Sequence, residues 1–168
     1  ARRSSSGGAC PPPQRRSSRS RRSQARIGAL TAPVFVDTAA LIALISRDDA
    51  WHAQVHEQFA ILAKQGRTLL TSSAVLYELL DGAAARGTMR AAAIRLVHSI
   101  RDSPQWTIIH VTDESMRKGE ALYATRMDKL WSLTDCTNME IAREHEVQEI
   151  MSSDNDYEQA GLRVLLRV

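Results

Sequence analysis

Hydrophobic positions along this chain alternate between short apolar runs and longer segments with helical spacing. Val34–Val36 is a short, partly β-branched run that predicts a buried strand of a parallel sheet. The polar pair Asp37–Thr38 follows and opens an apolar stretch through Ile45, which predicts a helix. The same pattern predicts strands over residues 68–71, 107–111, 147–151 and 163–168, and helices over residues 49–64, 89–100, 112–125 and 132–145, with one more from residue 72 towards the glycines at 82 and 87.

This alternation of strand and helix predicts an α/β fold in which helices cover a parallel sheet. No internal repeat is visible. The longest uninterrupted apolar run, Ala39 to Ile45, has seven residues. Because roughly 20 apolar residues are needed to cross a bilayer, we predict no membrane segment.

Residues 1–32 differ in composition from the rest of the chain. They hold eight arginines and no acidic residue, and they show no hydrophobic periodicity. Such a segment buries too little apolar surface to offset the entropy of ordering it. We therefore predict a disordered, Arg/Ser-rich N-terminal extension over residues 1–32 and one domain over residues 33–168. The arginines could contact RNA phosphates, and the composition is also typical of a transit peptide; the simplest interpretation is an extension or misassigned start without a function.

The net charge of +3 averages these two unlike parts. Of the 22 basic residues, eight lie in the extension, so 14 remain against all 19 acids and residues 33–168 carry a net charge of −5. The basic pI of about 9.2 thus comes from the extension. The two cysteines, Cys10 and Cys136, lie in regions of different character, which argues against a disulfide framework and favours a reducing, cytoplasmic compartment.

Four acidic residues are predicted to meet at one edge of the sheet. Asp37 follows the first strand and Asp154 the fourth, where a parallel sheet forms its ligand crevice. Glu78 and Asp135 are predicted in the first turns of helices that begin at the same edge. Four converging carboxylates would repel one another, and a bound cation relieves that repulsion. Because Mg²⁺ and Mn²⁺ favour oxygen ligands, the set predicts such an ion, which can activate water and stabilise charge on a phosphodiester.

Each acid also has a structural interpretation of its own. Asp37 could cap the helix that follows it, and Asp135 could complete a capping box with Ser132. Glu78 lies at the edge of a buried helical stripe, and Asp154 could be an ordinary loop acid. The metal-site hypothesis therefore depends on the combination of the four.

Other residues suggest weaker alternatives. His52 and His56 have the spacing of zinc ligands on a helix, but the glutamate of the zincin motif and a third ligand are missing, so we favour a solvated face. Trp131, close to Asp135, could stack on an RNA base, although packing against the core is commoner. No Gly-rich phosphate loop occurs, which leaves a P-loop or Rossmann nucleotide site without its anchor.

Four segments, taken in order, resemble the PIN-domain ribonuclease family and most of all its VapC-type toxins. They are VFVDTAAL over residues 34–41, TSS over residues 71–73 leading to Glu78, WSLTDC over residues 131–136, and SD over residues 153–154 leading to YEQAG over residues 157–161. Together they cover essentially all of residues 33–168. Two positions depart from the pattern: Asn138-Met139 stands where more apolar residues are usual, and Asp156 where a histidine is common.

The resemblance implies a three-layer α/β/α sandwich with a central parallel sheet and a Mg²⁺- or Mn²⁺-dependent endoribonuclease activity. By position it assigns the metal-binding and catalytic acids as Asp37, Glu78, Asp135 and Asp154, with Thr38 and Ser132 as supporting hydroxyls. Toxins of this type often form homodimers and are silenced by a small antitoxin, so RNA, a cognate antitoxin and a second copy are the implied partners. The alternatives are a housekeeping nuclease that processes RNA or DNA, and an inactive PIN-like module that binds RNA or protein; the intact acids favour catalysis.

Overall fold

The computed structural model describes residues 32–167, in which strands and helices alternate. The strands are β1 (Val34–Val36), β2 (Leu69–Ser72), β3 (Trp106–Ile109), β4 (Glu149–Met151) and β5 (Arg163–Val164). The helices are α1 (Thr38–Ile45), α2 (His52–Lys64), α3 (Ser73–Ala85), α4 (Arg90–Asp102), α5 (Asp113–Thr125), α6 (Leu133–Glu144) and α7 (Asp156–Gln159).

The five strands form one parallel sheet in the order β3-β2-β1-β4-β5. Val34 of the central strand β1 pairs with Leu69 of β2 on one side and with Glu149 of β4 on the other. The predicted α/β/α sandwich with a central parallel sheet is therefore confirmed. Strands β2 and β3 follow β1 on one side of it, and β4 and β5 then follow on the other side, so the strand order reverses between β1 and β4. Ligand crevices of parallel sheets form at such a reversal, next to the carboxyl ends of the two strands.

The core lies against both faces of the sheet. Val34, Phe35 and Val36 are fully buried, as expected for the central strand of a sheet covered on both sides. The helices bury one stripe each, for example around Leu79 in α3 and Ile141 in α6. Together these side chains form one continuous hydrophobic cluster. None of the helices within residues 32–167 is long and apolar enough to cross a membrane.

Helices α5 and α6 approach each other closely at Gly119. A Cβ atom at Gly119 would lie 2.9 Å from the Cα atom of Thr137 in α6, closer than real Cβ atoms come to backbone. Only glycine fits at this position without displacing a helix. Because α6 carries Asp135, the packing at Gly119 sets the position of one predicted site residue.

Some element boundaries differ from the predictions. Helix α2 begins at His52 rather than residue 49, because Asp49 is part of a turn in which its side chain accepts a hydrogen bond from the Trp51 N–H at 2.9 Å. Gly82 does not end α3, which continues to Ala85. The predicted strand over residues 163–168 pairs with β4 only at Arg163–Val164. Except for residue 32, the predicted disordered extension lies outside the described residues.

Candidate active site

Asp37 lies at the carboxyl end of β1, at the crevice between β1 and β4. It occupies the N-cap position of α1, yet its side chain makes no capping hydrogen bond. Its carboxylate instead accepts hydrogen bonds from the Ser152 hydroxyl at 2.9 Å and from the Tyr157 hydroxyl at 3.2 Å. The Asp37 N–H donates to the Met151 carbonyl at 3.1 Å, which holds the residue against β4. The local hydrogen bonds therefore direct this carboxylate into the crevice and away from the helix terminus.

Burial dominates the electrostatics of Asp37. The residue is only 7% exposed. Burial and, to a smaller degree, the nearby charge of Asp135 raise the pKa of its carboxyl from 3.8 to about 6, against hydrogen bonds from Ser152, Thr38 and Tyr157 that lower it. Both side chains that bond to Asp37 are neutral, so its negative charge has no compensating cation among its hydrogen-bond partners.

Asp135 combines a structural role with a place in the site. It is the third residue of α6 and forms a capping box with Ser132. Its Oδ2 atom accepts hydrogen bonds from the Ser132 N–H at 2.8 Å and the Ser132 hydroxyl at 2.7 Å, while its own N–H donates to that hydroxyl at 3.1 Å. The Oδ1 atom of the same carboxylate accepts from the Tyr157 hydroxyl at 3.3 Å. One oxygen thus caps the helix and the other faces Asp37.

Tyr157 joins the two carboxylates. Its hydroxyl lies within hydrogen-bonding distance of Oδ1 of both Asp37 and Asp135, although the ring is fully buried in the core. Burial raises the pKa of Tyr157 well above its usual range, and the charges of the two aspartates add to the shift. The phenol therefore stays protonated and acts as a hydrogen-bond donor to this pair.

Glu78 lies on the solvent side of the site. It is exposed and accepts a hydrogen bond from the Thr38 hydroxyl at 2.7 Å. Thr38 follows Asp37 directly, so this bond ties Glu78 to the same sheet edge. The prediction that Glu78 lies in the first turn of its helix is wrong: Ser72 is the N-cap, its hydroxyl accepting from the Val75 N–H at 3.2 Å, so Glu78 falls in the second turn of α3.

Asp154 lies in the turn between β4 and α7. Its Oδ1 atom accepts from the Asp156 N–H at 2.8 Å, and its own N–H donates to the Ser152 hydroxyl at 3.1 Å. Burial raises the pKa of Asp154, and the charges of Asp156 and Asp135 raise it further. The electrostatic effect of Asp135 on both Asp154 and Asp37 shows that the three acids share one region of negative potential.

Within residues 32–167, no three His, Cys, Asp or Glu side chains lie close enough together to hold a metal ion. The geometry provides a bridged pair, Asp37 and Asp135, with Glu78 and Asp154 around it. The chemistry of these donors nonetheless suits a divalent cation, because Asp37 is a buried carboxylate with only neutral partners and the surrounding donors are all oxygen atoms.

The structure also adds residues that the sequence did not point to. Ser152 and Tyr157 hold Asp37, and both follow β4 within a few residues of Asp154. Ser72 donates a hydrogen bond of 2.6 Å to Oδ1 of Asn138, and both side chains are fully buried. The clearest signal in the sequence for Tyr157 is that it is aromatic in the otherwise polar segment after Asp154.

The weaker alternatives find structural roles. The Nδ1 atom of His52 lies 2.7 Å from the Ala43 carbonyl, and the His52 and His56 rings pack edge to face at 4.5 Å between centroids. Trp131 is 4% exposed, and the Arg126 guanidinium lies 4.7 Å from the centroid of its ring. A tryptophan so enclosed offers no free face to an RNA base, so the packing interpretation describes it better.

With this geometry in place, comparisons with known proteins identify the class. Residues 34–162 match the PIN domain, so the chain belongs to the PIN domain family, as the sequence predicted. Among solved structures, the chain is similar to the crystal structure of Mycobacterium tuberculosis VapC20, a sarcin-ricin loop cleaving toxin. The TM-score is 0.69 at 25% sequence identity, over 77% of this chain and 95% of that chain. The VapC-type resemblance is thus confirmed, while no curated protein sequence matches significantly.

Proposed function

We propose that this chain is a Mg²⁺- or Mn²⁺-dependent endoribonuclease, acting as the toxin of a toxin–antitoxin pair. The observation that carries the proposal is the buried carboxylate Asp37, bridged to Asp135 by one hydroxyl at the crevice of a PIN-domain sheet. The similarity to VapC20, whose described activity is cleavage of the sarcin-ricin loop, supports RNA as the substrate class.

Asp37 and Asp135 would hold the cation, with Glu78 and Asp154 as the further acids of the site. When bound, such a cation lowers the pKa of a water molecule and offsets negative charge on a phosphodiester. Ser152 and Tyr157 orient the Asp37 carboxylate by hydrogen bonds to both of its oxygens. Glu78 is the exposed acid, and Thr38 fixes its Oε2 atom at 2.7 Å; it is therefore best placed to accept a proton from an incoming water.

Electrostatics require the negative charge of the site to be offset before RNA can approach. Residues 33–168 carry a net charge of −5, and the acidic cluster lies within them. A divalent cation held by Asp37 and Asp135 would offset the charge of these two carboxylates and would attract a phosphate. The eight arginines of residues 1–32 add a second, unspecific attraction for RNA in the full chain.

A cognate antitoxin and a second copy of the chain are the proposed protein partners. The similarity to VapC20, which is a toxin, supports an antitoxin as partner. Leu130 and Met127 are 99% and 85% exposed, and such apolar surface is more often found at interaction sites than on a free monomer. Within the described residues, Cys136 is a buried free thiol, which is consistent with the proposed reducing, cytoplasmic compartment.

The test is cleavage of RNA by the purified full chain with Mn²⁺, compared with chelator. Asp37→Asn and Glu78→Gln should each reduce cleavage by at least a hundredfold while the circular dichroism spectrum is retained. Glu57→Gln, at an exposed site on α2, is the matched control and should cleave normally. Binding of RNA by the parent without cleavage in Mn²⁺ would identify an inactive binding module, and cleavage of DNA alone would identify a processing nuclease.

A further inference from the structure

We propose that a cavity between α3 and β3 is a subsite for an unpaired nucleotide of the RNA, close to the bond that is cleaved. The inference rests on the proposed ribonuclease function and names residues that would hold the RNA strand beside the acids. The cavity has a volume of about 330 Å³, which is within the range of sites that bind small organic groups. Tyr77, Arg101 and His110 contribute its exposed side chains.

The cavity lies at the same edge of the sheet as Asp37. Strands β2 and β3 end level with each other, because Ser72 pairs with Ile109, and the next residues of the chain, Ser73 and His110, line the cavity. The order β3-β2-β1 puts the carboxyl end of β3 two strand spacings, roughly 10 Å, from that of β1. An RNA strand that runs along this edge with one phosphodiester at Asp37 therefore reaches the cavity.

Helix α3 forms one wall of the cavity and contributes a tyrosine to it. Four residues of the helix line the cavity with the spacing of one helix face: Ser73, Leu76, Tyr77 and Leu80. Leu76 is buried and Leu80 half-buried, whereas Tyr77 is 70% exposed. Unpaired bases stack on exposed aromatic rings of this kind, whereas the bases of a duplex are stacked on one another. The ring therefore favours single-stranded RNA.

The charged side chains around the cavity suit a phosphate. Among the described residues that line it none is acidic, whereas Arg101 and His110 carry N–H donors. The ion pairs formed within residues 32–167 include neither of these two side chains. Residues 33–168 as a whole carry a net charge of −5. The cavity is thus a cationic region on an acidic domain, and this charge is complementary to the polyanionic RNA strand.

The subsite has a fixed position relative to the acids. The Ser73 hydroxyl accepts a hydrogen bond from the Val111 N–H at 2.9 Å, which connects the start of α3 with the end of β3. Tyr77 directly precedes Glu78, whose Oε2 atom accepts a hydrogen bond from the Thr38 hydroxyl at 2.7 Å. A base stacked on Tyr77 is therefore held by the same helix that carries the proposed proton acceptor.

The experiment measures the binding of a labelled single-stranded RNA to the full chain by fluorescence anisotropy. Mn²⁺ is present, and all proteins carry Glu78→Gln so that the RNA is not cleaved during the measurement. Tyr77→Ala should weaken binding by about 5- to 150-fold, which corresponds to the loss of one stacked base. Tyr77→Phe keeps the ring and should bind as the parent does. Tyr123→Ala, at a tyrosine that is 51% exposed on α5, is the matched control and should leave the affinity unchanged.

Three further measurements identify the kind of contact. Annealing the RNA to its complement should remove the difference between Tyr77→Ala and its parent, because paired bases do not stack on the ring. Arg101→Gln should reduce the slope of log affinity against log salt concentration by about 0.7, the value for one phosphate contact of a single strand. In cleavage assays with Glu78 intact, Tyr77→Ala should raise KM with little change in kcat, since it removes binding that substrate and transition state share.

Four results would overturn the subsite. Tyr77→Ala and Tyr123→Ala could affect RNA affinity equally, or Tyr77→Ala could lower kcat alone, which would mean that it acts through Glu78. A changed oligomeric state of Tyr77→Ala in analytical ultracentrifugation would assign this face to a second copy of the chain. A parent that cleaves RNA beside a Tyr77→Ala variant that binds and cleaves equally well refutes the subsite alone, whereas a parent that neither binds nor cleaves RNA refutes the proposed function with it.

Discussion

Asp37 and Asp135 accept hydrogen bonds from the same tyrosine hydroxyl, although one begins the first helix of the described chain and the other lies in the sixth. The contact forms only when β1, α6 and α7 are all in place. The site is therefore a product of the complete fold, and changes in helix packing should reach it.

Packing at Gly119 offers a test of that connection. Gly119→Ala introduces a Cβ atom 2.9 Å from the Thr137 Cα, so we expect a loss of about 1–3 kcal/mol in the free energy of unfolding. The control is Gly82→Ala in α3, where no atom lies within 4 Å of the new Cβ; it should raise stability by about 0.5–1 kcal/mol because alanine favours a helix. Urea unfolding of both variants gives the two values. Equal effects at the two glycines would mean that α5 and α6 are not in close contact.

The extension over residues 1–32 is predicted to be dispensable for folding. A chain that begins at residue 32 should show the same unfolding transition as the full chain and keep Mn²⁺-dependent cleavage, because residues 1–31 lack apolar periodicity. Affinity for RNA should fall at low salt and much less at high salt, since eight arginines are removed. Fluorescence anisotropy at two salt concentrations measures the RNA affinity of both chains. A truncated chain that does not fold would assign these residues to the domain.

The buried ion pair at the opposite edge of the sheet provides a prediction independent of the site. Arg67 and Glu149 are 5% and 4% exposed, and their charged groups lie 2.8 Å apart. Glu149→Ala leaves the guanidinium buried without this partner, so the free energy of unfolding should fall by about 3–5 kcal/mol. Glu114→Ala, which removes an exposed pair with Lys118, should change it far less, because water screens that pair. Urea titrations that gave similar losses would contradict the burial of Arg67.

The sequence predicted those parts of the site that depend on local pattern. Asp37 follows an apolar run, and Asp135 follows Ser132 at capping-box spacing, so both were found with their elements. The sequence does not identify Tyr157 as a site residue, because its contacts with Asp37 and Asp135 depend on how α6 and α7 pack against β1. Helix α7 has four residues, which is too short for helical periodicity to show.

Asp37 makes the free energy of unfolding depend on pH, with a sign that differs from that of an ordinary surface acid. Its pKa is raised from 3.8 to about 6 in the folded chain, so the folded state binds more protons than the unfolded state between these values. In chelator, this residue should stabilise the fold fully below about pH 4, and that contribution, on the order of 3 kcal/mol, should be lost as the pH rises through 6. Asp37→Asn should remove this pH dependence in urea unfolding between pH 4 and 7. If the slope of the free energy of unfolding against pH were unchanged in the variant, a group other than Asp37 would be responsible for it.

A substitution at Asp135 tests whether this helix-capping residue also binds the cation. Asp135→Asn should leave the free energy of unfolding in chelator within about 1 kcal/mol, because the loss of a charge at a helix N-terminus, about 0.3–1 kcal/mol, is offset by reduced repulsion with Asp37 and Asp154. Mn²⁺ at one hundred times its dissociation constant should stabilise the parent by about 2.7 kcal/mol, and the variant should lose most of that gain. Urea unfolding in chelator and in Mn²⁺ measures both effects in the same two proteins. A variant that is less stable in chelator yet fully stabilised by Mn²⁺ would leave Asp135 with its capping role alone.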